Sequence, residues 1–328
     1  MQYHHILYTT DQSYFSHMLT SIYSLIRTNP DTPFMIHIIE SNFTKKQIEY
    51  LETVISDYPK IFIKLYPEEK LKKLLQFYSL PKWRGTDIAN ARLFAHELIP
   101  EVEQLLYLDS DTIINGSLES LWRENNAPVA AVKDVVIPSH MKQHVINYYN
   151  SGVLYFDYSL WEKENCAQRL YDTFKKTKVP LLFPDQDLLN LAVRESIHCL
   201  SVDYNIMPSV YDAMRYPNLA KRIYKDSSFY SYQEIASSLQ TPHIFHMLEY
   251  LNTRPWIENK THPFNELYAE NRFYWDSCFQ KEKSNTLLAN VPMLPFFNVL
   301  SKAVIPDELN YRMKEVIKRK IYKEIPKQ

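Results

Sequence analysis

The amino-acid sequence predicts an α/β protein whose first part forms a parallel sheet. Three short apolar runs have the composition of buried strands, and two segments between them carry apolar residues at helical spacing. The strands are expected at residues 6–9, 34–39 and 61–65, and the helices at residues 14–28 and 44–56. Because parallel neighbours need crossover connections, this β-α-β-α-β order favours a parallel sheet with right-handed crossovers.

Local signals place the ends of the first elements and the elements that follow. Pro30 and Pro33 end the first helix, and Thr44 is the expected N-cap of the second. Further helices are expected at residues 67–78 and 87–98, from Ser159 onward and from about Phe183. Further strands are expected at residues 105–108, 128–134, 150–157 and 243–247. From about Trp256 onward, prolines divide the chain into short helices.

Composition and charge exclude several classes of function. The 37 basic and 38 acidic residues leave a net charge of −1, so no overall field attracts nucleic acid. The 328 residues include only three glycines, too few for a glycine-rich phosphate-binding loop. If a nucleotide binds, a metal ion or basic side chains must therefore neutralise its phosphates.

The cysteines and the apolar runs favour a soluble protein. Cys166, Cys199 and Cys278 are scattered without metal-binding spacing, which is typical of packing residues in a reducing compartment. The chain runs into its first strand without a secretory signal, and no apolar run approaches the roughly 20 residues that span a bilayer. We expect a cytosolic protein, or one bound to the cytoplasmic face of a membrane.

Two acids one residue apart, Asp109 and Asp111, follow the apolar run at residues 105–108. Open α/β sheets bind ligands at the carboxyl ends of such strands. Two carboxylates this close repel each other unless a proton or a cation lies between them, and oxygen ligands favour Mg²⁺ or Mn²⁺. The alternative is a solvated turn, since aspartate and serine are common turn residues.

Other polar residues recur at the ends of separated predicted strands. Each has an alternative structural role, since acids at a helix start complement the helix dipole and a lone histidine is often an interior group. Together, carboxylates at one sheet edge in a glycine-poor chain favour metal-assisted handling of a diphosphate. These residues are Asp11, Asp134, Asn150, Asp185, Gln186, Asp187 and His246.

The motifs resemble those of family 8 glycosyltransferases, which are retaining enzymes that use nucleotide sugars. The resemblance covers about residues 5–256, and the motifs occur in the family's order. They are Thr9–Tyr14, Ala91–Leu93, Tyr107–Thr112, Asp134, Asn150–Gly152, Asp185–Asp187 and Asn205–Pro208.

The resemblance implies a fold and a role for each motif. The fold would be of the GT-A type, a Rossmann-like mixed sheet, with residues 1–260 binding nucleotide sugar and acceptor and residues 261–328 forming a helical extension. The uracil and ribose would contact Thr9, Thr10, Asp11 and Tyr14, with Ser110 also in the nucleotide-sugar site. The donor sugar would contact Asp134, Asn150, Ser151, Gly152, Asp185 and Gln186. Arg92 would reach the diphosphate and sugar, and Mn²⁺ or Mg²⁺ would bind Asp109, Asp111 and His246.

The segment after His246 departs from the family pattern. The family has His, two residues, Gly, two residues and Lys-Pro-Trp. Here the segment is two residues longer, lacks the glycine and carries Arg254 in place of lysine. Arginine keeps a charge for the diphosphate and can bind it through two hydrogen bonds. His243 is the alternative third metal ligand.

The implied reaction moves galactose or glucose from a UDP-sugar to a glycan hydroxyl, in the synthesis of lipopolysaccharide or another cell-surface glycan. Asp134, Asp185, Gln186 and Arg92 would be the catalytic residues, and we expect same-face displacement because no carboxylate is an obvious nucleophile. One alternative is a nucleotidyltransferase, although residues 9–14 are neither glycine-rich nor basic. The other is a binding protein without turnover.

Residues 307–328 are predicted to form a basic amphipathic helix. Asp307 can cap it, and four apolar residues recur at helical spacing. Six basic residues surround them, opposed by only two acids. Such a helix favours binding to an anionic membrane, as a lipid-linked acceptor in lipopolysaccharide synthesis would require. The alternative is a helix docked on the catalytic domain.

Overall fold

The protein is built on a seven-stranded mixed sheet. The structure is a computed structural model that describes residues 3–67, 71–72, 80–82, 86–123, 126–135, 137–215, 229–250, 253–257 and 262–272. The strands in chain order are β1 (His4–Asp11), β2 (Phe34–Ser41), β3 (Ile61–Pro67), β4 (Gln104–Leu108), β5 (Thr112–Ile114), β6 (Val129–Lys133), β7 (Tyr149–Asp157), β8 (Ile197–Cys199) and β9 (Ile244–His246). In the large sheet the order is β3-β2-β1-β4-β7-β6-β8, and β5 pairs separately with β9.

The first half confirms the predicted parallel arrangement. Strands β1, β2, β3 and β4 are parallel neighbours, joined first by helices α1 (Phe15–Thr28) and α2 (Lys45–Ser56). Thr44 caps α2 in a capping box with Gln47, in which each side chain bonds the other residue's backbone amide. The sequence therefore predicted both the order and the helix start correctly.

Strand β7 is antiparallel to both of its neighbours, β4 and β6. Its first residues consequently lie at the edge where β4 ends. There, Val153 of β7 pairs with Leu108 of β4. Asn150, the first residue of the strand predicted at residues 150–157, lies near the start of β7. The antiparallel direction brings it to the site edge, because an antiparallel strand begins where its neighbours end.

Two predicted helices are less regular than expected. The segment at residues 87–98 forms a 3-10 helix (Ile88–Phe94) and then one α-helical turn (Ala95–Leu98). The helix predicted from Ser159 is two helices, Tyr158–Lys163 and Cys166–Lys176. Asn165 separates them with a φ of 51°, a left-handed conformation that asparagine tolerates better than most residues.

The remaining described helices complete the domain. The longer ones are Pro184–Ala192, Pro208–Arg215, Tyr232–Ser238 and Asn265–Arg272. Short 3-10 helices lie at Gln12–Tyr14, Glu119–Trp122, Arg194–Ser196 and Val202–Tyr204. Most of the helix predicted at residues 67–78 lies outside the described residues, as do the domain boundary at residue 260 and the basic helix at residues 307–328.

The sheet is buried on both faces. In β4, Leu106 and Leu108 belong to the apolar core that contains α1, whereas Leu105 and Tyr107 belong to the core on the opposite face. All four are fully buried, as predicted for a central strand. None of the helices in the described ranges has the length and apolar character needed to cross a membrane.

Candidate active site

Asp109, Asp111 and His246 converge at the carboxyl end of β4. One ligand atom from each residue lies within 4.8 Å of the others. Nε2 of His246 is 3.4 Å from Oδ2 of Asp109 and 3.2 Å from Oδ1 of Asp111. Two carboxylate oxygens and an imidazole nitrogen form a donor set suited to a divalent cation.

Local pairing places the histidine beside the acids. The chain turns after β4, where Oγ1 and the backbone amide of Thr112 both donate to the carbonyl of Asp109. Antiparallel pairing of β5 with β9 then puts His246 opposite Thr112. The amide of Met247 donates to the carbonyl of Asp111 at 2.7 Å and ties the two segments together. His246 therefore approaches the acids through strand pairing, 135 residues further along the chain than Asp111.

Two features of the cluster fit a bound metal ion. Nε2 of His246 is buried and has no hydrogen-bond partner of acceptable geometry among the described residues, although it faces two carboxylates. Gly152 leaves room for the ring, since a Cβ there would lie 2.1 Å from Cε1 of His246. Because a buried polar atom without a partner is costly, the nitrogen is suited to bind a ligand.

Charges within the site compensate one another. Arg92 contacts Asp109 at 3.0 Å, and Arg254 contacts Asp111 at 2.6 Å. Burial alone would raise the pKa of each carboxyl, but the adjacent arginines and His246 lower both pKa values. Burial would likewise lower the pKa of His246, yet the two carboxylates raise it to about 9. The metal-free site therefore favours ionised acids and a protonated histidine at neutral pH.

Arg92 lies at the centre of the site and is 6 % exposed. Its guanidinium group contacts Asp185 at 3.2 Å as well as Asp109, and it donates to the carbonyl of Ser151 at 2.7 Å. It also lies over the ring of Tyr107, 4.4 Å from the ring centre. Arg92 thus links Asp109 to the residues expected to contact the donor sugar.

Arg254 occupies the position where the family pattern has lysine. Besides Asp111, it donates to the carbonyl of Met247 at 2.8 Å and lies over the ring of Trp256. The altered segment therefore brings a cation to the cluster. His243, the alternative ligand, instead stacks on Tyr204 and lies 3.5 Å from Asp203. It is not in the cluster with the two acids.

The residues expected at the donor sugar form a second polar group beside the first. Nδ2 of Asn150 donates to Asp134 at 3.3 Å and to Oε1 of Gln186 at 3.3 Å. The amide of Ser151 also donates to Oε1 of Gln186, at 2.9 Å. Oγ of Ser151 donates to Asp185 at 2.8 Å, and burial raises the pKa of that acid.

The residues expected at the nucleotide lie at the end of β1. Asp11 accepts from the backbone amides of Ser13 and Tyr14 and caps the 3-10 helix. Oγ1 of Thr9 bonds the hydroxyl of Tyr107 at 3.1 Å, and Thr10 is 2 % exposed. A cavity of about 530 Å³ opens beside Asp11, lined also by Gln12, Ser13, Phe15, Ser16, Asn42 and Gln47.

Two aromatic rings, Tyr14 and Trp256, connect this end of the site to Arg254. Oγ of Ser110 is buried without a hydrogen-bond partner within the described part of the chain. Tyr14 packs edge-on against Trp256, with ring centres 6.1 Å apart. The guanidinium group of Arg254 lies over Trp256, so ring contacts connect the residues expected at the nucleotide to the residue expected at the diphosphate.

Sequence reasoning missed several supporting residues. Asn205 bonds Nδ1 of His246 at 3.2 Å, and the hydroxyl of Tyr107 donates to Asp109 at 2.5 Å. Asp187, which the sequence did name as a candidate, is fully buried and accepts from Tyr148 at 2.5 Å and from His140 at 2.8 Å. Both Tyr107 and Asn205 lie within motifs that resemble the family's, which was the available signal. Nothing in the sequence indicated His140.

Comparisons with known proteins find similar glycosyltransferases. A family model described as Glycosyl transferase family 8 matches residues 5–258. A lipopolysaccharide 1,2-glucosyltransferase of Escherichia coli is 29 % identical over 219 residues, 61 % of each chain. A lipopolysaccharide 1,3-galactosyltransferase of Salmonella typhimurium is 23 % identical over 292 residues, 83 % of this chain and 79 % of that one. A putative glycosyltransferase of Haemophilus influenzae is 24 % identical over 227 residues, but the match spans only 66 % of its length.

Solved structures show the same fold. An active-site mutant of the protein LgtC aligns with a TM-score of 0.66 at 20 % identity, covering 82 % of this chain and 95 % of that one. The bifunctional glycosyltransferase WbbM aligns with a TM-score of 0.66 at 19 % identity, covering 87 % and 50 %. These likenesses confirm the predicted GT-A fold. Since the family model covers well over half of the sequence, the chain belongs to glycosyl transferase family 8.

Proposed function

We propose that this chain is a metal-dependent, retaining hexosyltransferase that moves galactose or glucose from a UDP-sugar to a glycan hydroxyl. One observation carries the proposal: Asp109, Asp111 and His246 form a largely buried donor cluster at the edge of the sheet where such folds bind ligands. Family membership supports the transfer of a glycosyl group rather than binding alone.

The three residues of the cluster would hold Mn²⁺ or Mg²⁺. When bound, such an ion supplies Lewis-acid stabilisation of the charge that develops on the leaving diphosphate. Arg254 and Arg92 add fixed positive charge on either side of the acids, at 2.6 Å and 3.0 Å from them. In a water-poor site, preorganised charges of this kind stabilise a transition state more strongly than they would in water.

The contacts of the sugar-side residues support same-face displacement. Oε1 of Gln186 accepts the Ser151 amide, so the amide oxygen is already engaged and is a weak nucleophile. Asp187 is enclosed by three hydrogen-bond donors, and Asp185 is paired with Arg92. In the proposed step the sugar–phosphate bond breaks with its electrons remaining on UDP. The acceptor oxygen bonds to the same face of the sugar, and its proton passes to the leaving phosphate.

The remaining residues would position the donor. Asp11 and Tyr14 would hold the nucleoside beside Thr9, Thr10 and Ser110, whose buried hydroxyl lacks a partner in the described ranges. Asp134 and Asn150 would orient the hexose, and orientation of this kind supplies part of the rate enhancement. The site would thus bind the nucleotide, the diphosphate and the sugar in sequence along one edge.

The acceptor would be a lipid-linked glycan at the membrane. Two relatives are described as lipopolysaccharide glucosyl- and galactosyltransferases, which supports an acceptor of that chemical class. The basic helix predicted at residues 307–328 would hold the enzyme on the anionic cytoplasmic face. Deleting these residues should abolish sedimentation with anionic vesicles while preserving donor hydrolysis. Equal vesicle binding by the truncated chain would contradict this role.

A donor screen tests the proposal as a whole. UDP-galactose, UDP-glucose and their N-acetylated analogues are each incubated with the chain and Mn²⁺, and released UDP is measured. We expect one hexose donor to be turned over, with the α configuration retained in a product analysed by proton NMR. Binding of UDP in calorimetry without turnover of any donor would favour a binding protein instead.

A further inference from the structure

A chain of three buried amide groups leads from the backbone to the imidazole of His246. The amide of Gly152 donates to Oδ1 of Asn150 at 2.9 Å, and Nδ2 of Asn205 donates to that same oxygen at 2.9 Å. Oδ1 of Asn205 then lies 3.2 Å from Nδ1 of His246. Asn150, Asn205 and His246 are 5 %, 0 % and 1 % exposed, so water does not compete for these bonds.

The series of hydrogen bonds from Gly152 to His246 has a fixed direction because it begins at a backbone N–H group. A backbone amide can only donate, so the Asn150 atom facing Gly152 must be the oxygen. The Asn205 atom beside that oxygen must then be the NH₂ group, which leaves its own oxygen facing the imidazole. An oxygen can only accept, so Nδ1 of His246 carries the proton. The orientation of each side-chain amide follows from the one before it.

The tautomer has a consequence at the opposite end of the ring. With the proton on Nδ1, a neutral imidazole has its lone pair on Nε2, the nitrogen that faces Asp109 and Asp111. A metal-binding histidine usually has its second nitrogen fixed in this way by a neighbouring acceptor. The backbone around Asn205 is itself tied to β9, because the carbonyl of Ile206 accepts the amide of His246 at 2.9 Å.

We propose that Asn205 is a positioning residue that holds His246 in the tautomer required for metal binding. This inference rests on the proposed function, since it presupposes a metal site at His246. Asn205 also joins the two halves of the site. Through Asn150 it is connected to Asp134 and Gln186, each 3.3 Å from Nδ2 of Asn150.

Direct metal titration tests the role of Asn205. The full chain, Asn205→Leu and Asn205→Asp are titrated with Mn²⁺ by electron paramagnetic resonance, and the fraction folded is checked by circular dichroism. Asn205→Leu removes the acceptor and should weaken Mn²⁺ binding by about 10- to 100-fold, as loss of a group that orients a ligand typically does. Asn205→Asp keeps an acceptor for Nδ1 and should lose much less affinity.

A matched control separates this role from packing. Asn271 is another fully buried asparagine, hydrogen-bonded to Arg27 at 3.1 Å on a helix apart from the metal cluster. Asn271→Leu should lower the melting temperature without changing the affinity for Mn²⁺. Wild-type affinity in folded Asn205→Leu, or equal losses in the leucine and aspartate variants, would overturn the inference. A wild-type chain that binds no Mn²⁺ would instead refute the proposed function.

A measurement on the unaltered protein covers the case in which the variants do not fold. Long-range ¹H–¹⁵N NMR of the Zn²⁺-loaded chain reports which ring nitrogen of His246 carries the proton, with assignment by His246→Gln. The expected signature is a protonated Nδ1 and a proton-free Nε2. The opposite tautomer would overturn the role proposed for Asn205.

Discussion

Adding a single methyl group at Gly152 should disrupt metal binding. A Cβ at this position would lie 2.1 Å from Cε1 of His246 and 2.7 Å from Oδ2 of Asp109. Because carbon atoms pack at about 3.5–4.0 Å, the ring would have to move by more than about 1 Å. The backbone of Gly152 has little freedom to yield, since its carbonyl accepts the amide of Asp109 at 2.8 Å.

We expect Gly152→Ala to weaken Mn²⁺ binding by about 100-fold, taking the cost of a 1 Å misplacement in an active site as a guide. Overpacking should also lower the free energy of unfolding of the metal-free protein by about 1–3 kcal/mol. The affinity is measured by calorimetric titration of folded protein. The stability is measured by urea unfolding with chelator present.

Gly116→Ala is the matched control. Its Cβ would lie 2.7 Å from Nδ1 of His243, a side chain that is 24 % exposed and outside the metal cluster. This variant should bind Mn²⁺ as the wild type does. If Gly152→Ala remains folded and binds Mn²⁺ with wild-type affinity, the assignment of the ion to His246 and Asp109 is refuted.

Three further changes test the electrostatics and the mechanism. Arg92→Ala leaves Asp109 and Asp185 buried without their cation, so urea unfolding in chelator should show a loss of about 3–5 kcal/mol; an unchanged midpoint would contradict the pairing. The folded pKa of His246 is raised to about 9, so its stabilisation of metal-free protein should be complete below the unfolded pKa of about 6.5 and be lost as pH rises through 9. Melting temperatures of wild type and His246→Gln across pH 6–10 measure this, and parallel curves would contradict it. Asp187→Asn should cost about 1–3 kcal/mol of stability, measured by thermal unfolding, with turnover per folded molecule largely kept. Loss of turnover at unchanged stability would instead favour a carboxylate nucleophile.

The sequence predicted the scaffold well because local patterns determine it. The apolar run of β4 identified a central strand, and the two acids after it necessarily lie at that strand's carboxyl end. Thr44 similarly marked a helix start through a signal within four residues. The direction of β7 was not predictable in this way, because it depends on which neighbours the strand pairs with rather than on its own residues.

The candidate site was predictable in its residue types and less so in its contacts. Asp109 and Asp111 are separated by a single residue in the sequence, so their proximity could be predicted without a structure. Arg92 was expected to reach a diphosphate, but the sequence did not indicate its ion pairs with Asp109 and Asp185, 17 and 93 residues further along the chain. Asn205 contacts a histidine 41 residues further along the chain because strand pairing brings the two segments together. No local sequence pattern predicts pairing of this kind.

The most direct test of the central claim is the metal dependence of donor turnover. The full chain is incubated with the preferred UDP-hexose in Mn²⁺ or in excess chelator, and phosphorus NMR follows the release of UDP. The Asp109, Asp111 and His246 cluster predicts release with Mn²⁺, none in chelator, and recovery when Mn²⁺ is restored. Equal release of UDP in chelator would contradict the account.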